Sequence, residues 1–272
     1  MATITASDVN KLRKHTGAGM MDCKKALVEA EGDFDTAVDI LRKKGQKVAA
    51  KRADREATEG VALAITNDNN STGVIVTLNC ETDFVAKNDS FVELAQQFAD
   101  LALEKQPATR DELLALDFNG MTVAEKLVEQ TGVIGEKLEI SAYEKVEAPY
   151  VAAYIHSNKK LASLVGLSSE AADAGKDVAM QVAAMNPLGL TSDEISQEVI
   201  DRELEVARDL ARQEGKPEEM LDKIAQGRLN KFFKENTLLD QSFIKDGKKS
   251  VKQYVKEAGT EVTSFKRVGL GM

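Results

Sequence analysis

The hydrophobic period of this sequence changes near Glu59, and that change limits the possible folds more than any other feature. Before it, apolar side chains recur every three or four positions, as in residues 34–41, which is the period of a helix. After it, residues 61–65 and 74–78 alternate apolar with small or polar side chains, which is the period of a strand. The pattern therefore predicts an α+β fold with antiparallel sheets built from hairpins.

Glycines and capping residues divide the first 45 residues into three short helices. Ser7 is the predicted N-cap of the first helix and Asp33 that of the third. Gly17, Gly32 and Gly45 each follow a helical pattern and are expected to end one helix, because glycine adopts the left-handed cap conformation easily. The sequence thus predicts a compact three-helix module at the start of the chain.

A hairpin followed by a helix is predicted twice in the middle of the chain. The first hairpin spans residues 59–79, and Ser90 with Glu93 forms a capping box that would start its helix. The second has strands at 150–156 and 161–168. The helix after the second hairpin is expected to stop before Pro187. The repeated order of hairpin and helix suggests two related subdomains.

Two elements are predicted between these repeats. Thr122 and Glu125 form another capping box, which predicts a helix that ends near Gly132. Alternation over residues 138–142 then predicts a strand.

Residues 191–236 carry long helical runs that are interrupted at 215–217 by Gly-Lys-Pro. This pattern predicts two antiparallel helices joined by a short turn. They either pack on their own core or project as an antiparallel coiled coil. A helix around residues 251–258 and a strand at 261–268 are expected to follow.

Net charge and cysteine content limit the possible functions and the expected location of the protein. The formal net charge of −9 argues against an extended nucleic-acid surface. The basic stretch at 42–55 is either a solvated linker face or a local binding patch. Cys23 and Cys80 are the only cysteines, and with no signal peptide or membrane span apparent, the expected location is the cytoplasm.

The sequence lacks the familiar motifs of catalysis. It contains neither a G-x-x-x-x-G-K-[ST] phosphate loop nor an H-E-x-x-H zinc motif. Its two histidines, His15 and His156, are far apart in sequence. We therefore expect no cofactor and no catalytic residue.

Residues 82–85 follow a predicted strand and precede a predicted helix, which places them at the edge or tip of a sheet. Two arrangements are open for this segment, whose sequence is Thr-Asp-Phe-Val. Either Phe84 and Val85 are buried under the sheet while Thr82 caps a helical turn, or Phe84 is exposed at the tip.

Three stretches of this sequence resemble bacterial elongation factor Ts. They are residues 16–27 (TGAGMMDCKKAL), residues 79–87 (NCETDFVAK), and Gly-Lys-Pro at 215–217 with Gly-Arg at 227–228. The resemblance runs in order along nearly the whole chain, and the first two motifs are long enough to be specific. Some family members continue into a further helix, so contacts of that helix are not carried over to this sequence.

The resemblance implies a guanine-nucleotide exchange factor for elongation factor Tu. In that family the Thr-Asp-Phe-Val segment enters the partner's nucleotide site and displaces its magnesium ion; the matching residues here are Thr82, Asp83, Phe84 and Val85. Direct nucleotide binding by this chain is not implied, nor is binding of nucleic acid or membrane.

The resemblance also implies secondary partner contacts at Arg13, Met20, Met21 and His156. A core position is the alternative for Met20, and a structural role is the alternative for His156. Pattern and resemblance together predict a ubiquitin-associated-like module at 1–45, a basic linker at 46–58, a core N-terminal subdomain at 59–135, a core C-terminal subdomain at 136–190 and 237–272, and a protruding helical hairpin or coiled coil at 191–236.

Three other functions remain open. The first is a ubiquitin-associated-like adaptor without exchange activity, and the second is an enzyme that uses Cys80 or Asp83. The third is a nucleic-acid binder. The helical hairpin leaves a homodimer possible as well, because such helices pair subunits in some proteins and dock other proteins elsewhere.

Overall fold

The computed structural model describes residues 4–271 and has an α+β fold with antiparallel strand pairs. It divides into two compact units. Of the described residues, unit 1 holds 4–63, 76–144 and 269–271, and unit 2 holds 64–75 and 145–268. None of the described helices has the length and hydrophobicity needed to cross a membrane.

The first half of the chain alternates helices with one three-stranded sheet, whose strand order is β1-β2-β3. The bounds of its elements are α1 Ala6–Thr16, α2 Met20–Glu29, α3 Phe34–Lys51, β1 Glu59–Thr66, β2 Thr72–Cys80, α4 Asp83–Ala86, α5 Asp89–Lys105, α6 Arg110–Ala115, α7 Val123–Ile134 and β3 Tyr143–Glu147.

The second half contains a sheet of order β4-β5-β8 and a small two-stranded sheet of β6 and β7. The bounds of its elements are β4 Tyr150–Ile155, β5 Leu161–Leu167, α8 Ala172–Met185, a 3₁₀ turn at Ser192–Glu194, α9 Gln197–Gln213, α10 Glu218–Asn236, β6 Ser242–Phe243, β7 Asp246–Ser250, α11 Val251–Glu257 and β8 Val262–Gly269.

The helices and sheets enclose separate apolar cores. Helices α1, α2 and α3 pack around Leu12, Cys23 and Leu27, which are fully or almost fully buried. In unit 2, β5, α8, α11 and β8 surround a core that includes Val165 and Val178. Apolar positions of these helices and strands therefore supply both cores.

Several predicted helix boundaries are confirmed. Thr122 and Glu125 form a complete capping box at the start of α7. Asp33 caps α3, Gly17 ends α1 in the left-handed conformation, and α8 stops at Met185 before Pro187.

Three predicted starts of elements are wrong. Helix α1 begins at Ala6 with Thr5 as its N-cap, so Ser7 lies inside the helix. Helix α5 is capped by Asn88 in place of Ser90. Residues 138–142 hold an isolated antiparallel bridge between Asn79 and Glu139 in place of the predicted strand, and the regular strand starts at Tyr143.

Gly45 does not end α3, which continues to Lys51. The glycine instead lies against Gly132 of α7, where a Cβ atom added to Gly132 would sit 2.3 Å from the Cα of Gly45. A side chain at Gly132 would hold the two helices further apart. Gly45 is therefore a close-packing position inside a long helix, and Gly132 likewise lies inside α7, which ends two residues later at Ile134.

Candidate functional site

Residues 82–85, which we call the TDFV segment, form a single helical turn between β2 and α5. Thr82 has an extended backbone, with φ −126° and ψ 152°, and its side chain accepts a hydrogen bond from the Val85 N–H at 3.5 Å. The turn ends at Lys87, and Asn88 then caps α5. The segment is thus one capped turn held between a buried strand and a long helix.

The aromatic ring of this turn faces solvent. Phe84 is 84% exposed, whereas Val85 is half-buried and Ala86 is buried. The predicted Thr82 cap is confirmed, but the arrangement in which Phe84 is buried under the sheet is wrong. The side chain of Phe84 is therefore available for contact without any change in the fold of the turn.

Asp83 lies beside Phe84 and pairs with a lysine one turn further on. Its Oδ2 atom is 2.6 Å from Nζ of Lys87, and both side chains are substantially exposed. The hydrogen bond from Lys87 and the charge of Asp83 raise the pKa of the lysine. The tip of the turn thus presents an aromatic ring next to an exposed ion pair.

Glu136 holds the N-terminal end of the turn. Its Oε2 accepts hydrogen bonds from the backbone N–H groups of Glu81, at 3.1 Å, and Thr82, at 3.0 Å. Its Oε1 accepts a third from the Thr82 hydroxyl at 2.7 Å. One carboxylate therefore binds three donors at the base of the TDFV segment.

Glu81 makes the reciprocal contact. Its Oε1 accepts the Lys137 backbone N–H at 2.7 Å, and its two carboxylate oxygens lie 2.7 and 2.9 Å from Nη1 of Arg52. The Lys137 hydrogen bond and the Arg52 guanidinium outweigh desolvation and lower the pKa of Glu81. Glu81 is therefore held in its charged form near neutral pH.

Sequence reasoning missed Glu81, Glu136 and Arg52 as parts of this site. Glu81 lies within the NCETDFVAK motif, but no feature of the motif gives it a separate role. Glu136 lies 54 residues from Thr82, and Arg52 lies 29 residues from Glu81. Only the folded chain brings these three side chains together.

The cysteines offer little support for nucleophilic chemistry. Cys80 is buried and donates to the Thr82 carbonyl at 3.2 Å, and burial raises the pKa of its thiol to about 12. Burial also raises the pKa of Cys23. A thiolate is the reactive form of cysteine, so these shifts argue against an enzyme that uses Cys80. Residues 4–271 contain no cluster of three or more His, Cys, Asp or Glu side chains that could hold a metal ion.

The three predicted contact residues of the first module lie on its surface. Met20 and Met21 begin α2 and are 50% and 63% exposed. Arg13 is exposed on the last turn of α1. The core alternative for Met20 is therefore wrong.

His156 belongs to unit 2, where it follows β4 directly. It is exposed, and its Nδ1 atom lies 3.0 Å from the hydroxyl of Tyr154. When Nδ1 accepts a hydrogen bond from the tyrosine hydroxyl, the neutral ring carries its proton on Nε2. His156 therefore has a hydrogen-bond partner, Tyr154, on the strand that precedes it, and the rest of its ring is accessible.

An exposed aromatic side chain on a well-supported turn is typical of a protein-contact site, because aromatic rings are enriched where proteins bind one another. The site thus has the features of a binding protein. The chain belongs to the elongation factor Ts family: the family model described as Elongation factor TS matches residues 81–272.

Relatives over the full length agree with this family. A protein named Elongation factor Ts from Christiangramia forsetii is 59% identical, with all of both chains covered. One of the same name from Flavobacterium psychrophilum is 57% identical, also over all of both chains. A third, from Amoebophilus asiaticus, is 55% identical over 98% of this chain and 99% of its own.

Proposed function

We propose that this chain is a translation elongation factor that acts as a guanine-nucleotide exchange factor. It promotes GDP release from elongation factor Tu by inserting the TDFV segment near the magnesium and nucleotide site of that partner. The observation that carries this proposal is the 84% exposure of Phe84 on a turn fixed at its base. Membership of the elongation factor Ts family supports it.

The energetic contribution of Phe84 follows from its exposure. Transfer of a phenylalanine side chain from water into a partner buries roughly 150 Å² or more. At about 25 cal/mol per Å², that burial supplies up to ~4 kcal/mol. This free energy is available to distort the nucleotide site, because Phe84 gives up little burial of its own on leaving solvent.

Asp83 contributes through the negative charge of its carboxylate. A carboxylate brought close to the phosphates or to the ligands of a magnesium ion weakens nucleotide binding by repulsion or by competing for hydrogen bonds. The Lys87 partner keeps this carboxylate near the ring, at the same end of the turn.

No acid, base or nucleophile is required for this activity. Exchange rests on preferential binding to the nucleotide-free partner, and the coupling is reciprocal. If this protein weakens nucleotide binding to elongation factor Tu by a given factor, nucleotide weakens the binding of this protein to elongation factor Tu by the same factor.

Secondary contacts hold the partner in place. We assign Arg13, Met20 and Met21 to one contact and His156 to another. In the proposed organisation the three N-terminal helices form a ubiquitin-associated-like module, and α9 and α10 form a protruding coiled coil. Residues 59–135, with 136–190 and 237–272, form the two core subdomains. Translation places the protein in the cytoplasm.

The test is release of fluorescently labelled GDP from elongation factor Tu. The wild-type chain should accelerate release, and Phe84→Ala and Asp83→Ala should lose much of that acceleration while staying folded. Leu188→Ala is the matched control, because Leu188 is also apolar and 53% exposed but lies outside the proposed contacts. Its acceleration should match that of the wild type.

Failure of the wild-type chain to accelerate release would remove the exchange proposal. The adaptor hypothesis also uses the exposed Met20 and Met21 as a contact surface. It would then gain support if Met21→Ala weakened binding to some other protein. The whole-length similarity to elongation factor Ts proteins favours the exchange function.

A further inference from the structure

The TDFV segment cannot fix its own orientation. Helix α4 has four residues, which is about one turn, and a single turn is unfavourable in isolation because nucleation orders several residues for one hydrogen bond. Phe84 projects into solvent and adds little packing. The direction of the ring must therefore be set by contacts at the ends of the turn.

At the N-terminal end, side chains replace the backbone pairing of a sheet. Asn79 and Glu139 form the last antiparallel bridge, with hydrogen bonds of 2.8 and 3.3 Å between their backbones. Beyond that bridge the carboxylates of Glu81 and Glu136 accept the backbone N–H groups of the opposite stretch. The two stretches are thus held together up to Thr82, the residue at which the turn begins.

The two carboxylates differ in what they reach. The Glu81 carboxylate binds the Lys137 N–H and Arg52, and the Glu81 backbone N–H donates to Glu136. Glu136 alone binds both the backbone and the hydroxyl of Thr82. That hydroxyl also accepts the Val85 N–H, so Glu136 connects directly to the hydrogen bond that closes the turn.

Glu136 is itself held by a rigid support. It follows Gly135, which ends α7 in the left-handed conformation with φ 81°. Helix α7 in turn lies against α3 at the contact between Gly45 and Gly132. The backbone at Glu136 therefore leaves the end of a helix that is packed against a second helix.

We propose that Glu136 is a positioning residue for nucleotide exchange, which orients Phe84 through Thr82 before the partner arrives. This inference rests on the proposed function. Loss of the carboxylate should leave docking largely intact, because Arg13, Met20 and Met21 lie elsewhere in unit 1. It should lower the rate of the step in which the ring enters the nucleotide site.

The experiment measures GDP release from elongation factor Tu over a range of concentrations of this protein, which separates the maximal rate from the half-saturating concentration. Glu136→Ala should lower the maximal rate by about tenfold or more, since misplacing a positioned group by about 1 Å can reduce a rate by 100-fold. The half-saturating concentration should change little. Glu136→Gln should keep most of the rate, because its amide oxygen still accepts the two backbone N–H groups.

A matched control tests for general destabilisation. Glu125 also lies on the surface of unit 1, and its carboxylate accepts the Thr122 backbone N–H at 2.7 Å in the capping box of α7. Glu125→Ala removes a carboxylate that accepts a backbone N–H at the start of α7, the helix that precedes Glu136, but does not touch the TDFV segment. Its maximal rate should equal that of the wild type.

A double-mutant cycle with Phe84→Ala gives the decisive comparison. If Glu136 acts through the ring, Glu136→Ala should have little further effect once the ring is gone. An equal loss in both backgrounds would overturn the proposal, as would a Glu136→Gln variant as slow as Glu136→Ala. Should Glu136→Ala fail to fold, Thr82→Val takes its place in the cycle, because it removes the hydroxyl that donates to Glu136 and accepts the Val85 N–H.

The outcomes also separate this inference from the proposed function. If Phe84→Ala exchanges as fast as the wild type, the exchange mechanism itself fails. If Phe84→Ala is slow while Glu136→Ala is as fast as the wild type, the mechanism stands and the positioning role is refuted.

Discussion

Gly45 and Gly132 occupy one helix contact but should respond oppositely to the same substitution. A Cβ atom at Gly132 would lie 2.3 Å from the Cα of Gly45, so Gly132→Ala must push the backbones of α3 and α7 apart. A Cβ atom at Gly45 would lie 3.7 Å from its nearest neighbours, which is ordinary van der Waals contact. Each variant therefore serves as the control for the other.

The magnitudes follow from two effects. Replacing glycine by alanine inside a helix stabilises by about 0.5–1 kcal/mol. Overpacking a close contact destabilises by about 1–3 kcal/mol. We expect Gly45→Ala to raise the free energy of unfolding by up to about 1 kcal/mol and Gly132→Ala to lower it by about 1–2 kcal/mol.

Urea unfolding followed by circular dichroism at fixed protein concentration measures both values. The midpoints should fall on opposite sides of the wild-type midpoint. Equal stability of the two variants, or a Gly132→Ala variant more stable than the wild type, would refute the close contact between α3 and α7.

Three further predictions concern local features. The pKa of Glu81 is lowered by the Lys137 N–H and by Arg52. The stabilising contribution of Glu81 is therefore present above the unfolded pKa near 4.5 and is lost as pH falls through the folded pKa. Glu81→Gln should flatten this part of an acid-unfolding curve. Thr122→Ala should lower the free energy of unfolding by about 1 kcal/mol in thermal or urea unfolding, because it removes an N-cap. Cys80, whose pKa is raised to about 12, should react with a thiol reagent at pH 8 much more slowly than in urea-unfolded protein.

Local signals made much of the fold predictable. The Thr122 capping box requires only two residues three positions apart, and the structure confirms it. The second hairpin is also confirmed, with Tyr150 opposite Leu167 and Ile155 opposite Ala162. In each case the residues that determine the element lie within or beside it.

The wrong predictions have different causes. A glycine after a helical pattern can end the helix or can permit a second helix to approach, and the choice at Gly45 depends on Gly132, far along the chain. The prediction at Ser7 is wrong for a local reason: Thr5 forms a capping box with Asp8, so the helix begins before Ser7. At Gly45, in contrast, tertiary contact decides the outcome.

The exposure of Phe84 could not be derived from pattern, because a large apolar side chain is usually buried. Its location matters for the energetics of the proposed exchange. A ring packed under the sheet would first have to leave that site, and the area gained in the partner would then largely replace area lost in the protein.

With the ring already in solvent, nearly all of its burial free energy is gained on binding. That gain is useful only if the ring is held in a direction from which it can enter the partner, since ordering a mobile segment during binding consumes part of the interaction free energy. The hydrogen bonds of Glu136 to Thr82 meet this requirement at a position that the ring itself does not touch. In the proposed mechanism, the exposed ring of Phe84 and the hydrogen bonds at the base of its turn therefore act together. The double-mutant cycle between Phe84 and Glu136 measures how far the effect of one residue on the exchange rate depends on the other.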